Sequence, residues 1–229
     1  TLMAIVGPNG AGKSTLIKLL AGAYDGGLEL QRGNREIHKD TRIGYFAQHQ
    51  LELLRPEHSP IDHLRDYAPG DREQDHRNYL GRFGFSGERI FEPVAPFSGG
   101  EKARLLLGLI TFHGAHLLIL DEPAGGLDPA ARREFLETSI QLLNEAGSTI
   151  LFSSHYMTDV ERMAERVVMV HEGELLIDRP LDDLRENHCV ALVPLGNGAT
   201  AEAQISGLTL SEALRTVTFY ILSFDWFAI

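Results

Sequence analysis

Cysteine is nearly absent from this sequence of 229 residues, and the single one, Cys189, excludes any disulfide within the chain. A chain without disulfides fits a reducing compartment such as the cytosol. Basic residues are also in the minority, because 21 Lys and Arg stand against 32 Asp and Glu, giving a formal net charge of -11. Phosphate contacts require Lys and Arg, so this balance argues against a general nucleic-acid binder.

Long apolar runs are lacking as well. No stretch approaches the ~20 residues that a membrane-spanning helix needs, the densest being Leu105–Ile110 and Phe219–Ile229. The first residues lack the basic and apolar pattern of a signal peptide, and no internal repeat is visible. Any membrane-embedded part must therefore come from another chain or segment. The length suits one α/β domain with a short appendage.

What the sequence does contain is an alternation of short apolar strands and amphipathic helices. Strands are predicted at 2–6, 42–47, 117–120, 148–153, 167–170 and 174–178, and helices at 13–21, 99–113, 129–146 and 157–166. This alternation predicts an α/β fold with a mainly parallel sheet. Residues 48–96, rich in charge, histidine and proline, predict an inserted helical subdomain with helices at 61–67 and 75–83. Residues 194–207 are small and polar, which predicts a linker.

A glycine-rich loop separates the first strand from the first helix. It consists of Gly7, Pro8, Asn9, Gly10, Ala11, Gly12, Lys13, Ser14 and Thr15. The order of strand, loop and helix is the context that a phosphate-binding loop requires. Glycines allow backbone N–H groups to turn inward around phosphates, and the helix start adds partial positive charge. We expect Lys13 to reach the terminal phosphates of a nucleotide and the Ser14 hydroxyl to bind Mg²⁺.

Two acidic residues end the apolar strand at 117–120. The carboxyl ends of parallel strands are where α/β sheets bind ligands. Asp121 is therefore expected to hold Mg²⁺, through water, and Glu122 to polarise an attacking water. Together with the phosphate loop, this pair predicts a P-loop ATPase that uses ATP and Mg²⁺.

A third motif, Phe97–Lys102 (FSGGEK), resembles the signature sequence of ABC ATPases. The order of all motifs is similar to that family over about residues 1–185. The resemblance implies a P-loop NTPase parallel-sheet core with an inserted α-helical subdomain. It divides the chain into an ABC ATPase domain at 1–187, with the helical subdomain at about 49–113, and a C-terminal extension of unknown role at 188–229.

The resemblance also assigns roles to single residues. The segment Ser98, Gly99, Gly100 and Glu101, which by its residues is an S-x-x-E capping box, contacts the γ-phosphate of ATP held by a second protomer. Gln48 senses Mg²⁺ and the γ-phosphate, and His155 hydrogen-bonds the γ-phosphate. Asp128, by its residues a helix N-cap before Pro129, lies at the protomer interface. Most other histidines are expected to be solvated, and His58 and His63 lack a metal-binding spacing.

Two branches of the family are recognisable. Segments 42–50, 79–85 and 97–105 resemble ABC-F proteins, soluble twin-cassette ATPases that act on ribosomes, whereas 124–126, 156–157 and 167–178 resemble ATPase subunits of membrane exporters. The implied partners are a second ABC cassette and either a ribosome or a membrane permease subunit. The implied location is the cytoplasm or the inner face of the membrane. An alternative is a nucleotide-binding module with little turnover, because the strands and adenine-stacking aromatic that open such domains do not precede Thr1.

Overall fold

The computed structural model describes residues 1–23, 28–123, 125–154, 156–194 and 200–206, without the side chains of residue 48, residues 142–146 and residues beyond 185. The chain forms two compact units, Thr1–Asp178 and Arg179–Ile229. The division lies slightly before the boundary that the sequence predicts after residue 187. The first unit contains every residue for which a role is predicted.

A six-stranded sheet forms the centre of the first unit. Its strands are β1 (Leu2–Val6), β2 (Ile43–Ala47), β3 (Leu117–Asp121), β4 (Thr149–Ser153), β5 (Arg166–His171) and β6 (Glu174–Pro180), in the order β2-β3-β4-β1-β5-β6. The pairs β1–β4, β1–β5, β2–β3 and β3–β4 are all parallel. Continuous apolar strands suit a parallel sheet covered on both faces. The predicted α/β class is confirmed.

Helices connect these strands. They are α1 (Lys13–Ala21), α2 (Pro60–Tyr67), α3 (Glu73–Gly81), α4 (Gly99–Thr111), α5 (Pro129–Ala146) and α6 (Met157–Met163), with short 3₁₀ helices at Gln48–Leu53 and Gly87–Phe91. Helix α3 starts earlier than predicted, and the acidic residues Glu73 and Asp75 lie in its first turn, where they interact favourably with the helix dipole. In the described part of the chain, no helix is long and apolar enough to cross a membrane.

One part of the core lies between α1 and the sheet. Ile5, Ile17, Ile119, Leu151 and Val170 pack as one buried cluster, so helix α1 is fixed against the strands on both sides of β1. Burying such side chains contributes about 1.5–3 kcal/mol each. The start of α1, where the phosphate loop ends, is thereby anchored to the middle of the sheet.

The helical insertion is tied to the rest of the unit by Arg104 on α4. Its side chain is only 10% exposed and forms an ion pair with Glu134 on α5 at 2.7 Å. Its Nε also donates to the carbonyl of Phe83 at 3.2 Å. Phe85 and Phe97 stack beside it with ring centroids 5.8 Å apart. The loop before α4 is therefore packed against the insertion.

The second unit corrects one prediction. Helix α7 (Leu181–Asn187) precedes strands β7 (His188–Pro194) and β8 (Thr200–Ser206), which pair antiparallel from His188 with Ser206 to Pro194 with Thr200. The prediction of a linker over 194–207 is therefore wrong for residues 200–206. The alanines of this segment gave a weak strand pattern, and the strand forms by pairing with the apolar segment of β7.

Candidate active site

Three neighbouring strands bring the phosphate loop, the acidic pair and Ser153 to one edge of the sheet. The phosphate loop follows β1, the acidic pair follows the apolar part of β3, and Ser153 ends β4. Because β4 lies between β3 and β1, its last residue stands between the two motifs. The parallel order places all three carboxyl ends together, as expected for ligand sites of α/β sheets.

The phosphate loop depends on glycine at two positions. Gly7 has φ 151°, and a Cβ there would stand 2.1 Å from the carbonyl oxygen of Val170. Gly12 has φ 98°, in the left-handed region that favours glycine, and forms the N-cap of α1. The backbone N–H of Gly173 donates to the carbonyl of Ala11 at 3.0 Å, holding the loop against the β5–β6 turn. Bare backbone therefore lines the loop, as a phosphate cradle requires.

Lys13 is 5% exposed, which is unusual for a lysine. Its ammonium donates to the carbonyls of Gly7 at 2.8 Å and Pro8 at 3.0 Å. The loop backbone thus holds a buried cation at the start of a helix, where the backbone N–H groups are themselves partially positive. This combination attracts a polyanion.

Ser14, Asp121 and Ser153 form a cluster of oxygen atoms. The Ser14 hydroxyl donates to Asp121 Oδ1 at 2.9 Å, and the Ser153 hydroxyl donates to the same oxygen at 3.0 Å. Hydroxyl and carboxylate oxygens are the ligands that Mg²⁺ prefers. Ser14 and Asp121 therefore fit the magnesium role predicted for them.

Glu122 has an unusual backbone. Its φ is 45°, in the left-handed region that non-glycine residues rarely adopt. Its N–H donates to the Ser153 hydroxyl at 2.8 Å, which holds this conformation. Such conformations persist where the surroundings impose them, and they concentrate at functional sites. Ser153 was missed from the sequence, because a serine ending a strand has no spacing that marks it.

The signature segment forms the predicted capping box at the start of α4. Ser98 Oγ accepts from the Glu101 N–H at 3.2 Å, and the Ser98 N–H donates to Glu101 Oε2 at 2.8 Å. Arg89 pairs with Glu101 and lies over the Phe97 ring, 4.0 Å from its centroid. Burial acts to raise the pKa of Glu101, but hydrogen bonds from Arg89 and Ser98 outweigh it and lower this pKa.

The signature helix also contacts the start of α5. A Cβ on Gly100 would stand 2.7 Å from the Ala131 Cβ, so the two helix starts approach closely. Asp128 caps α5 as predicted, because its Oδ1 accepts from the N–H groups of Ala130 at 3.0 Å and Ala131 at 3.1 Å. The two segments with predicted interface roles are therefore neighbours in one molecule.

Two predicted site residues cannot be placed. Gln48 begins the 3₁₀ helix after β2, but its side chain lies outside the described residues, as does all of His155.

Two other histidines are buried in the structure. His63 and His76 are 6% and 1% exposed, two exceptions to the expected solvated histidines. The described residues contain no group of three or more His, Cys, Asp or Glu able to hold a metal ion.

The family model described as "ABC transporter" matches residues 1–125. The chain belongs to the ABC transporter family. It is an ATP-binding cassette of that family, and the resemblance of its signature segment is confirmed.

Two curated relatives are close in sequence. "Probable ATP-binding protein YheS" of Escherichia coli K12 is 42% identical over 185 residues, which is 80% of this chain and 28% of the relative. "ATP-binding cassette sub-family F member 3" of Mus musculus is 40% identical over 153 residues, 67% of this chain and 20% of the relative. This cassette thus spans between a fifth and a third of their length and is similar to subfamily F.

Solved structures show the same fold. The protein cbiO1 of Clostridium perfringens, titled part of the ABC transporter complex cbiONQ, superposes with a TM-score of 0.65 at 24% identity, covering 81% of this chain and 79% of the other. The ADP conformation of MJ1267, an ATP-binding cassette of an ABC transporter, gives 0.63 at 18% identity, covering 81% and 82%. The predicted fold class is confirmed.

Proposed function

We propose that this cassette hydrolyses ATP to ADP and phosphate. The observation that carries the proposal is the Ser153 hydroxyl, which bonds both Asp121 Oδ1 and the Glu122 N–H. It bonds the carboxylate that can serve a metal, and it holds the backbone of the adjacent residue, whose carboxylate can serve water. The left-handed conformation of Glu122, φ 45°, supports the proposal, because strained residues concentrate at functional sites.

Each part of the site has a distinct task in this proposal. The glycine-rich loop and the Lys13 ammonium hold the phosphates of ATP, with partial positive charge from the start of α1. Glu122 orients water for in-line attack on the γ-phosphate and accepts hydrogen bonds from it. Positioning and electrostatics supply most of the rate acceleration in phosphoryl transfer.

Ser14 and Asp121 would hold Mg²⁺, with Gln48 as a further predicted ligand. The ion, when bound, neutralises phosphate charge and stabilises charge that develops during transfer. The Ser14 hydroxyl donates to Asp121 Oδ1 at 2.9 Å, which keeps the two oxygens that would hold the ion next to each other.

A second cassette completes the proposed site. In this arrangement Ser98, Gly99, Gly100 and Glu101 of one protomer face the γ-phosphate held by the other, with Asp128 at the interface and His155 bonding the γ-phosphate. The capped start of α4 supports this, because a helix N-terminus with free N–H groups is an anion site.

The test of hydrolysis is Glu122→Gln, which keeps the shape of the side chain and removes its charge. We expect ATP turnover to fall on the order of a hundredfold or more, with Mg·ATP affinity unchanged. Glu88→Gln, at an exposed glutamate of the helical insertion, is the matched control and should retain the parent rate. Equal turnover of the Glu122 variant and the parent would reject the role of Glu122.

For coupling, we propose action on the ribosome, as an ABC-F cassette. The identity of 40–42% to relatives that include a sub-family F member favours it over membrane export. The full-length protein should co-sediment with ribosomes in ATP when Glu122 is replaced by Gln. Co-purification with a membrane permease and no ribosome binding would instead establish the transporter alternative.

A further inference from the structure

The turn after β4 is joined to helix α5 by one arginine. The guanidinium of Arg132 lies over the Tyr156 ring, 4.0 Å from its centroid. Its Nε is 3.6 Å from Asp159 Oδ2, and the two side chains are 19% and 11% exposed. Cation–π and ion-pair contacts are both stronger when shielded from water. Arg132 therefore connects α5 to the turn and to the first turn of α6.

Both ends of this connection are themselves fixed to the site. On α5, the Arg132 N–H donates to the Asp128 carbonyl at 2.9 Å in the first helical turn. On the other side, the Tyr156 N–H donates to Ser154 Oγ at 3.0 Å, and the N–H of Asp159 donates to the Tyr156 carbonyl at 3.1 Å. The N–H of Ser154 donates to the carbonyl of Ile5 in β1.

Ser154 and Tyr156 also lie beside Glu122. A small cleft is lined by residues that include Glu122, Ser153, Ser154, Tyr156 and Asp159. Motion of Tyr156 would therefore change the wall of the space next to Glu122. In the sequence, the turn also carries residue 155, the histidine with a predicted γ-phosphate contact.

We propose that Arg132 is a positioning residue for ATP hydrolysis. It acts through Tyr156 and Asp159, and it holds Tyr156 against α5 and against the cleft beside Glu122. The inference rests on the proposed hydrolysis. It adds a link between the start of α5, next to Asp128, and Tyr156 after β4, and this link is the contact of the Arg132 guanidinium with the Tyr156 ring.

The experiment compares Arg132→Gln with Arg133→Gln, which makes the same change at the exposed arginine next to it. We expect the Arg132 variant to lose roughly tenfold or more in kcat, because small displacements of catalytic groups are costly, with KM for ATP unchanged. Arg132→Lys, which keeps the cation, should recover part of kcat. Hydrogen exchange of segment 154–164 should accelerate in the Arg132 variant alone.

A second variant separates positioning from stability. Removing Arg132 leaves Asp159 buried without this partner, which destabilises the fold, whereas Tyr156→Leu keeps the ion pair and removes the ring. We expect Tyr156→Leu to lower kcat similarly, and the double variant Arg132→Gln with Tyr156→Leu to be no slower than the slower single one.

The outcomes distinguish this inference from the proposed function. Parent-like kcat and exchange in both single variants would overturn the positioning role while hydrolysis by the parent stands. Independent, multiplicative losses in the double variant would also overturn it. A parent without turnover would reject hydrolysis and this role with it, and faster exchange of 154–164 would then identify Arg132 as a structural contact only.

Discussion

At the end of β4, one hydroxyl serves two acidic residues. Ser153 is fully buried and bonds both the Asp121 carboxylate and the backbone of Glu122. A hydroxyl can donate and accept at once, so a single serine satisfies both partners. Alanine at this position would leave the Glu122 N–H without this partner and would release its left-handed conformation.

We therefore predict that Ser153→Ala lowers kcat for ATP by about tenfold, through displacement of Glu122. Its free energy of unfolding should also fall by about 1–3 kcal/mol, because a buried donor loses its acceptor. Ser139→Ala is the control, since Ser139 is equally buried and bonds the Phe135 carbonyl within α5, away from the acidic pair. Steady-state kinetics and denaturant unfolding of both variants test this, and equal kcat values would contradict it.

Lys13 gives a second prediction at this scale. Lys13→Ala should weaken Mg·ATP binding at least tenfold, because it removes the cation held over the phosphate loop. Lys18→Ala removes the same charge from the last turn of the same helix and should bind ATP like the parent. Calorimetry measures both affinities, and an unchanged affinity of the Lys13 variant would contradict the assignment.

Single residues differ in how far the sequence reveals them. Lys13, Ser14 and Asp121 stand in motifs whose spacing and flanking strand are visible in the sequence, and the structure brings Ser14 and Asp121 together. Ser153 contacts Glu122, which lies 31 residues earlier in the chain. Arg132 contacts Tyr156, which lies 24 residues later. Their partners depend on the strand order β3-β4-β1 and on the packing of α5, which no local pattern specifies.

Among the elements, the helical insertion carries a buried histidine in α2. His63 accepts from the Arg55 N–H at 3.0 Å through Nε2, and its Nδ1 lies 2.9 Å from the Ser59 carbonyl. Burial is the largest cause that lowers the pKa of His63 from its usual 6.5. The neutral ring, with one donor and one acceptor nitrogen, fits these two partners.

This lowered pKa predicts an acid-sensitive insertion. As pH falls through 6.5, the unfolded chain takes up a proton before folded His63 does, so the free energy of unfolding falls toward acid pH. Denaturant unfolding at pH 7, 6 and 5 should show this decline, and His63→Gln should reduce its slope. His38→Gln, at a histidine whose side chain is 73% exposed, should leave the slope unchanged. An unchanged slope in the His63 variant would contradict the prediction.

Elements were predicted well where pattern and caps agree. Ser98 with Glu101 marks the start of α4, and Asp128 with Pro129 marks the start of α5, and both are confirmed. The antiparallel pairing of β7 with β8 was not foreseen, because strand formation there depends on pairing between strands rather than on composition. The order of the strands in the six-stranded sheet also depends on pairing between distant segments, so it could not be predicted from the sequence.

The whole molecule is acidic, and it spans only part of the length of its relatives. A net charge of -11 makes two copies repel each other, although salt screens this over about 10 Å. In the proposed arrangement, bound ATP supplies phosphates that the capped start of α4 on the facing cassette can hydrogen-bond. Assembly should therefore require nucleotide and reverse on hydrolysis.

We predict that Glu122→Gln is monomeric without nucleotide and dimeric with Mg·ATP, as measured by light scattering. Adding Ser98→Arg should prevent the dimer, because a bulky side chain replaces the cap hydroxyl at the interface. Adding Ser86→Arg instead makes the same change at an exposed serine before the 3₁₀ helix at 87–91, and the dimer should persist. A monomer at high concentration in saturating ATP, for a chain that binds ATP, would contradict self-assembly. The second half of the site would then have to come from a different cassette.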